Sequence, residues 1–116
     1  MQPTHRYVPA DGSTALGTLP ITCRLDDADR ASRLESLQAD LFAGAEEWQE
    51  LESGYVVRFP GAGDWGAKIA DFVKTERYCC SFFRFELTFE PNLGPIWLRL
   101  TGPDGVKEFI EAMMRA

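Results

Sequence analysis

The chain has 116 residues, a hydrophobic content of 45% and a formal net charge of -6, which is enough apolar material for one core and too little length for two. The acidic balance argues against duplex DNA and anionic membranes as main partners, because those contacts run on Lys and Arg neutralising phosphate. No apolar run approaches the length of a membrane span and the first residues lack the apolar centre of a signal peptide, so a cytoplasmic protein with no nucleic-acid or membrane partner is expected.

Residues 1–17 hold two prolines, two glycines and no periodicity, and read as a flexible tail before a single domain spanning 18–116. The tail carries His5, the only histidine of the chain, so Ser-His-Asp and Cys-His catalysis would both have to run through it. From Leu19 to Leu25 apolar residues alternate. Leu19, Ile21, Cys23 and Leu25 share one face, which predicts a half-buried strand with Cys23 turned to the core, as filler or as one sulfur of a larger site. Asp26 or Asp27 then caps a helix to about Ala43, with Ala31, Leu34, Leu37, Leu41 and Phe42 as its apolar stripe and Gly44 as its stop. Glu47 to Glu52 and Tyr55 to Phe59 flank Ser53-Gly54 as a hairpin. The acidic first strand, with Glu46, Glu47, Glu50 and Glu52, reads as a charged edge. Pro60 to Gly63 is a turn with no nucleotide fingerprint, and Asp64 is expected to cap the next helix.

That next helix is the chemical centre of the sequence. At about 100° per residue, Trp65, Ile69, Phe72 and Val73 form one stripe, and one turn further on Glu76, Cys79 and Cys80 fall on the same side. A carboxylate on the core side is costly to bury without a partner. Two readings of Glu76 stand: it pairs with Arg84 or Arg99 or caps backbone amides, or it joins the sulfurs at i+3 and i+4 in a site. An acid beside two thiols is a donor set for thiophilic ions such as Hg, Zn or Cu(I). Convergence requires the helix to end at or before Cys79, because adjacent helical residues diverge by about 100°. Arg77 and Arg84 are the cations expected to offset the negative helix terminus there.

Phe83, Phe85, Leu87 and Phe89 alternate with Arg84, Glu86, Thr88 and Glu90 as an antiparallel strand, and Pro91 to Pro95 turn it back. In the return strand Ile96, Leu98 and Leu100 point in while Trp97, Arg99 and Thr101 point out. Trp97 beside Arg84 and Arg99 reads as a stacking platform for a ligand, a homodimer contact, or an apolar residue shielded by arginine stems. A last helix places Val106, Phe109, Ile110, Met113 and Met114 at core spacing. The order β, α, β, β, α, β, β, α contains two helix-hairpin units. It predicts an α+β fold: an antiparallel sheet with helices on one face, ferredoxin-like βαββαβ extended by a strand and a C-terminal helix.

The segments ERYCC-S-FFRFEL, GPIWLRLTGP and GVKEF resemble a family of small, mostly uncharacterised bacterial proteins with an ERxCC segment followed by GP-[IV]-WLRL-x-GP-x-GVKEF. The resemblance is close over the C-terminal half, and it departs at Ser81, where the family usually has proline. It implies a link to heavy-metal handling and highlights Glu76, Arg77, Cys79, Cys80, Trp97, Gly102 and Lys107. The sequence therefore sets up a metal or metalloid site on Cys79, Cys80, Glu76 and Cys23, with Arg77, Arg84, Trp97 and Arg99 as candidate binding residues. The alternatives are a thiol-based redox or electrophile-reactive site, and a dimeric interaction module with structural cysteines. Three cysteines, an odd number without a secretory signal, are expected to be reduced.

Overall fold

The computed structural model describes residues 28–115, and the expectations for the tail with His5, the strand Leu19–Leu25 with Cys23 and the cap at Asp26 or Asp27 lie outside the described residues. In chain order the elements are α1 (Ala28–Phe42), β1 (Glu47–Leu51), β2 (Gly54–Phe59), α2 (Trp65–Cys79), β3 (Arg84–Phe89), β4 (Ile96–Thr101) and α3 (Val106–Met113). All four strands form one sheet in the order β1-β2-β4-β3, antiparallel throughout. The two helix-hairpin units are thus joined along their second strands, β2 and β4, with β1 and β3 outermost among the described strands. β4 stands between β2 and β3, the place that ferredoxin-like order gives to the strand preceding α1.

Period-2 patterning decides the buried face. Tyr55, Val57 and Phe59 of β2 lie opposite Leu100, Leu98 and Ile96 of β4, and all six are at most 2% exposed. The helices bring Leu41, Ile69, Phe72, Val106 and Ile110 into the same cluster, which places them on one face of the sheet. Phe42 joins the layers, its ring centroid 5.3 Å from Phe72, 5.7 Å from Phe59 and 5.5 Å from Trp48.

Several local expectations are corrected. Asp64 stands before α2 but makes no side-chain capping bond. Gly44 ends α1 without a positive φ; a Cβ there would meet the Trp65 ring at 2.1 Å, so it is packing that requires glycine. Phe89 is 58% exposed and Met113 48% exposed, whereas Met114 is buried. Thr101, on the outer parity, is fully buried.

The opposite face of the sheet is polar. Arg58 pairs with Glu46 at 3.2 Å, and Glu86 receives Arg99 at 3.3 Å and Arg84 at 4.0 Å. Trp97 lies opposite Arg58 in the ladder, and the guanidinium carbon sits 5.8 Å from its ring centroid. The guanidinium over Trp97 is therefore that of Arg58, its neighbour across the ladder.

Candidate functional site

The site is built by the end of α2. Ile69, Phe72, Glu76 and Cys79 are its buried residues, the i, i+3, i+7 spacing of a helix seated on a sheet. α1 packs beside it in the opposite direction, as shown by Gln38 meeting Glu76 while Asp40 meets Lys68 at 3.7 Å. The last helical turn closes with the Cys80 amide donating to the Glu76 carbonyl at 2.7 Å. Cys80 then leaves the helix at φ -128°, ψ 74°. The helix therefore stops after Cys79 without a proline at position 81.

Glu76 is fully buried. Its Oε2 accepts a hydrogen bond from Gln38 Nε2 at 3.2 Å, and among the described residues its Oε1 has no hydrogen-bond partner. Burial pushes the carboxyl up to about 7, with the Gln38 bond acting in the opposite direction. Arg84 and Arg99, the partners foreseen for this acid, are committed to Glu86 on the other face. Arg77 is exposed in the last turn of α2, where its charge favours the helix terminus.

Both neighbouring sulfurs are closed off from solvent: Cys79 and Cys80 are each 0% exposed. Cys79 is a thiol, whereas Cys80 is disulfide-bonded, which corrects the expectation of three reduced cysteines. Among the described residues no group of three or more His, Cys, Asp or Glu side chains is arranged to hold a metal ion. Cys79, Cys80 and Glu76 share one turn of the chain without forming such a set. The fourth candidate, Cys23, lies outside the described residues.

Sequence reading missed Gln38. A signal was present, since Gln38 falls between Leu34 and Leu41 at i+4 and i-3 on the apolar side of α1, the same anomaly that marks Glu76. It also missed a polar seam that ties α3 to the first hairpin. There the Tyr55 hydroxyl donates to Glu111, Lys107 donates to Glu50, and Arg115 lies 5.3 Å from the Tyr55 ring centroid and 5.5 Å from that of Trp48. The bond to Glu111 raises the Tyr55 pKa, and Lys107 and Glu50 hold each other charged, the lysine raised and the glutamate lowered. Lys107, highlighted by the resemblance, thus has a structural partner. Gly102, likewise highlighted, is packed against Val106 and the Phe82 carbonyl, where a Cβ would meet them at 2.9 and 3.2 Å.

Among the described residues no helix is long and apolar enough to cross a membrane. Comparison with known proteins finds no matching family model, no matching curated protein and no matching solved structure.

Proposed function

We propose that the end of α2 is a thiol-disulfide redox site, with Cys80 as the residue that cycles, Cys79 as the thiol beside it and Glu76 as the buried proton acceptor. The observation that carries this reading is the disulfide at Cys80 directly following a buried thiol, one helical turn after a carboxylate with an unpartnered oxygen. In the reductive direction local opening of the chain first exposes the buried Cys80 disulfide; a small dithiol then attacks it, forms a mixed disulfide and closes on itself. Two electrons pass to the protein, which gains two thiols, and the dithiol leaves as a disulfide. A small-molecule disulfide reverses the exchange. Above about pH 7 the Glu76 carboxylate is ionised and can hold the proton of a neighbouring thiol, and below that it cannot.

The test is a redox titration. The protein is equilibrated in graded ratios of reduced to oxidised dithiothreitol, quenched with acid, alkylated after unfolding and counted by mass. One alkylated cysteine should give way to three across a single transition. A count that stays the same from the most oxidising to the most reducing buffer sinks the proposal.

A second reading is favoured by the unpartnered Glu76 Oε1: once reduced, Cys79 and Cys80 together with Glu76 bind a thiophilic ion, two S–H protons being exchanged for two metal-sulfur bonds. It agrees with the heavy-metal link that the ERxCC resemblance implies. Titration of the reduced protein with Hg²⁺ or Zn²⁺ should show tighter binding than in a Cys79→Ser, Cys80→Ser double variant, and equal affinity in the two rejects it.

A further inference from the structure

We propose that the flank of α2 turned away from α1 is a binding site for a small amphipathic anion, an aliphatic or aromatic body carrying one oxyanion, with Val73 and Leu87 beneath the body and Lys74 and Arg77 at the head.

The two flanks of α2 are unlike. At about 100° per residue, Lys68 stands about 80° to one side of the buried Glu76, and on that side it meets Asp40 of α1 at 3.7 Å. Val73, Arg77, Ala70 and Lys74 stand about 60°, 100°, 120° and 160° to the other side. There a groove of about 510 Å³ runs along the helix, lined among the described residues by Ala70, Val73, Lys74, Arg77, Tyr78 and, from β3, Leu87. Sites for small molecules span roughly 300–1,000 Å³, so the groove has room for one. Its lining grades from apolar to charged. Val73 and Leu87 are half-buried, whereas Lys74 and Arg77 are exposed and the Tyr78 ring is 55% exposed.

The charge of this flank opposes that of the chain. The protein carries a net charge of -6, yet the described lining of the groove holds two cations and no acid. Among the described residues the ion pairs engage Arg58, Lys68, Arg84, Arg99 and Lys107, and neither Lys74 nor Arg77. Residues three apart on a helix are neighbours, so one oxyanion can be received by both, with the guanidinium as a fork and the ammonium as a point charge. Two full charges outweigh the roughly half negative charge that a helix C-terminus carries. The chemistry of the occupant follows by elimination. An inorganic anion would leave Val73 and Leu87 wet, and a neutral apolar molecule would leave both cations without a counter-charge. An extended polyanion would meet the acidic remainder of the surface. A small anion with an apolar body meets none of these penalties.

Calorimetric titration of the full chain with octanoate, against octan-1-ol as the neutral molecule of equal length, decides the matter. One equivalent of octanoate should saturate the protein, with octan-1-ol binding at least tenfold more weakly. A Lys74→Gln, Arg77→Gln double variant, altered only at exposed positions, should lose at least tenfold in affinity for octanoate and nothing for octan-1-ol. Ala70→Asp, which sets a carboxylate beside the head, should also weaken octanoate at least tenfold. Binding that never saturates, equal affinity for the acid and the alcohol, or equal affinity in wild type and double variant overturns the site. Should the double variant fail to fold, Ala70→Asp decides, and unchanged affinity there has the same result. A dimer in sedimentation that dissociates in the double variant would assign the groove to a second copy and overturn the proposal too. The redox reading of Cys80 is untouched by each of these outcomes.

Discussion

Glu76 is the residue at which burial and chemistry conflict most. Burial of a carboxyl whose donor among the described residues is the neutral Gln38 amide favours the protonated form, which is why its pKa stands at about 7 instead of 4.5. The sign follows from linkage. The folded pKa lies above the unfolded one, so the stabilising preference for the protonated form is complete below pH 4.5 and is lost as pH rises to about 7. A shift of this size corresponds to about 3 kcal/mol. Urea unfolding from pH 4 to 8 should show the wild type losing about that much relative to Glu76→Gln across the window, with the difference constant above it. Parallel stability curves for the two proteins would mean the acid titrates normally and is hydrated. Gln38→Leu tests the partner, since loss of the Gln38 bond, which favours the charged form, should push the upper limit of the window still higher.

Among the elements, α2 is held by its neighbours more than by its own ends. Its N-terminal aspartate makes no capping bond, whereas Trp65 stacks on Phe59 with ring centroids 5.9 Å apart and reaches over Gly44. Gly44→Ala separates this packing from simple chain stiffening. Replacing a glycine at negative φ with alanine ordinarily stabilises by restricting the unfolded chain. Here the added methyl would collide with the indole at 2.1 Å, so a loss of about 1–3 kcal/mol is expected from overpacking. The thermal midpoint should fall, and the fall should shrink in a Trp65→Leu background. A raised midpoint would show that the ring moves aside freely. α3 is secured differently, through the seam of Tyr55, Glu111, Lys107, Glu50 and Arg115 at one margin of the sheet.

At the scale of the molecule, the sheet closes by pairing β2 with β4, so every central contact joins one helix-hairpin unit to the other. The helices repeat this arrangement above the sheet, α1 lying antiparallel on α2 with Gln38 bonded to Glu76 between them. The Cys80 disulfide adds a covalent constraint to a domain that the hydrophobic cluster already holds together. Reduction should therefore weaken the fold without abolishing it. A disulfide of ordinary loop length contributes about 2–4 kcal/mol, and the urea midpoint with and without a phosphine reductant measures it. Unchanged stability after complete reduction would show that the bond closes no significant loop in the unfolded chain.

Much of this molecule was legible in the sequence because burial of a face is a property of one element at a time. Alternation in Tyr55–Phe59 and Ile96–Leu100 announced the buried side of each strand, and the 3.6-residue period of α2 announced that Glu76 and Cys79 would be buried with Ile69 and Phe72. The residue that would meet Glu76 could not be read in this way. Gln38 is 38 positions away, and only the antiparallel packing of α1 on α2 brings it there. The same limit applied to the strand order, to Arg58 instead of Arg84 or Arg99 beside Trp97, and to the disulfide at Cys80. Periodicity determined which side of each element faces the core, and the tertiary structure decided which side chains face each other, because partners are fixed by contacts between segments that no local pattern records.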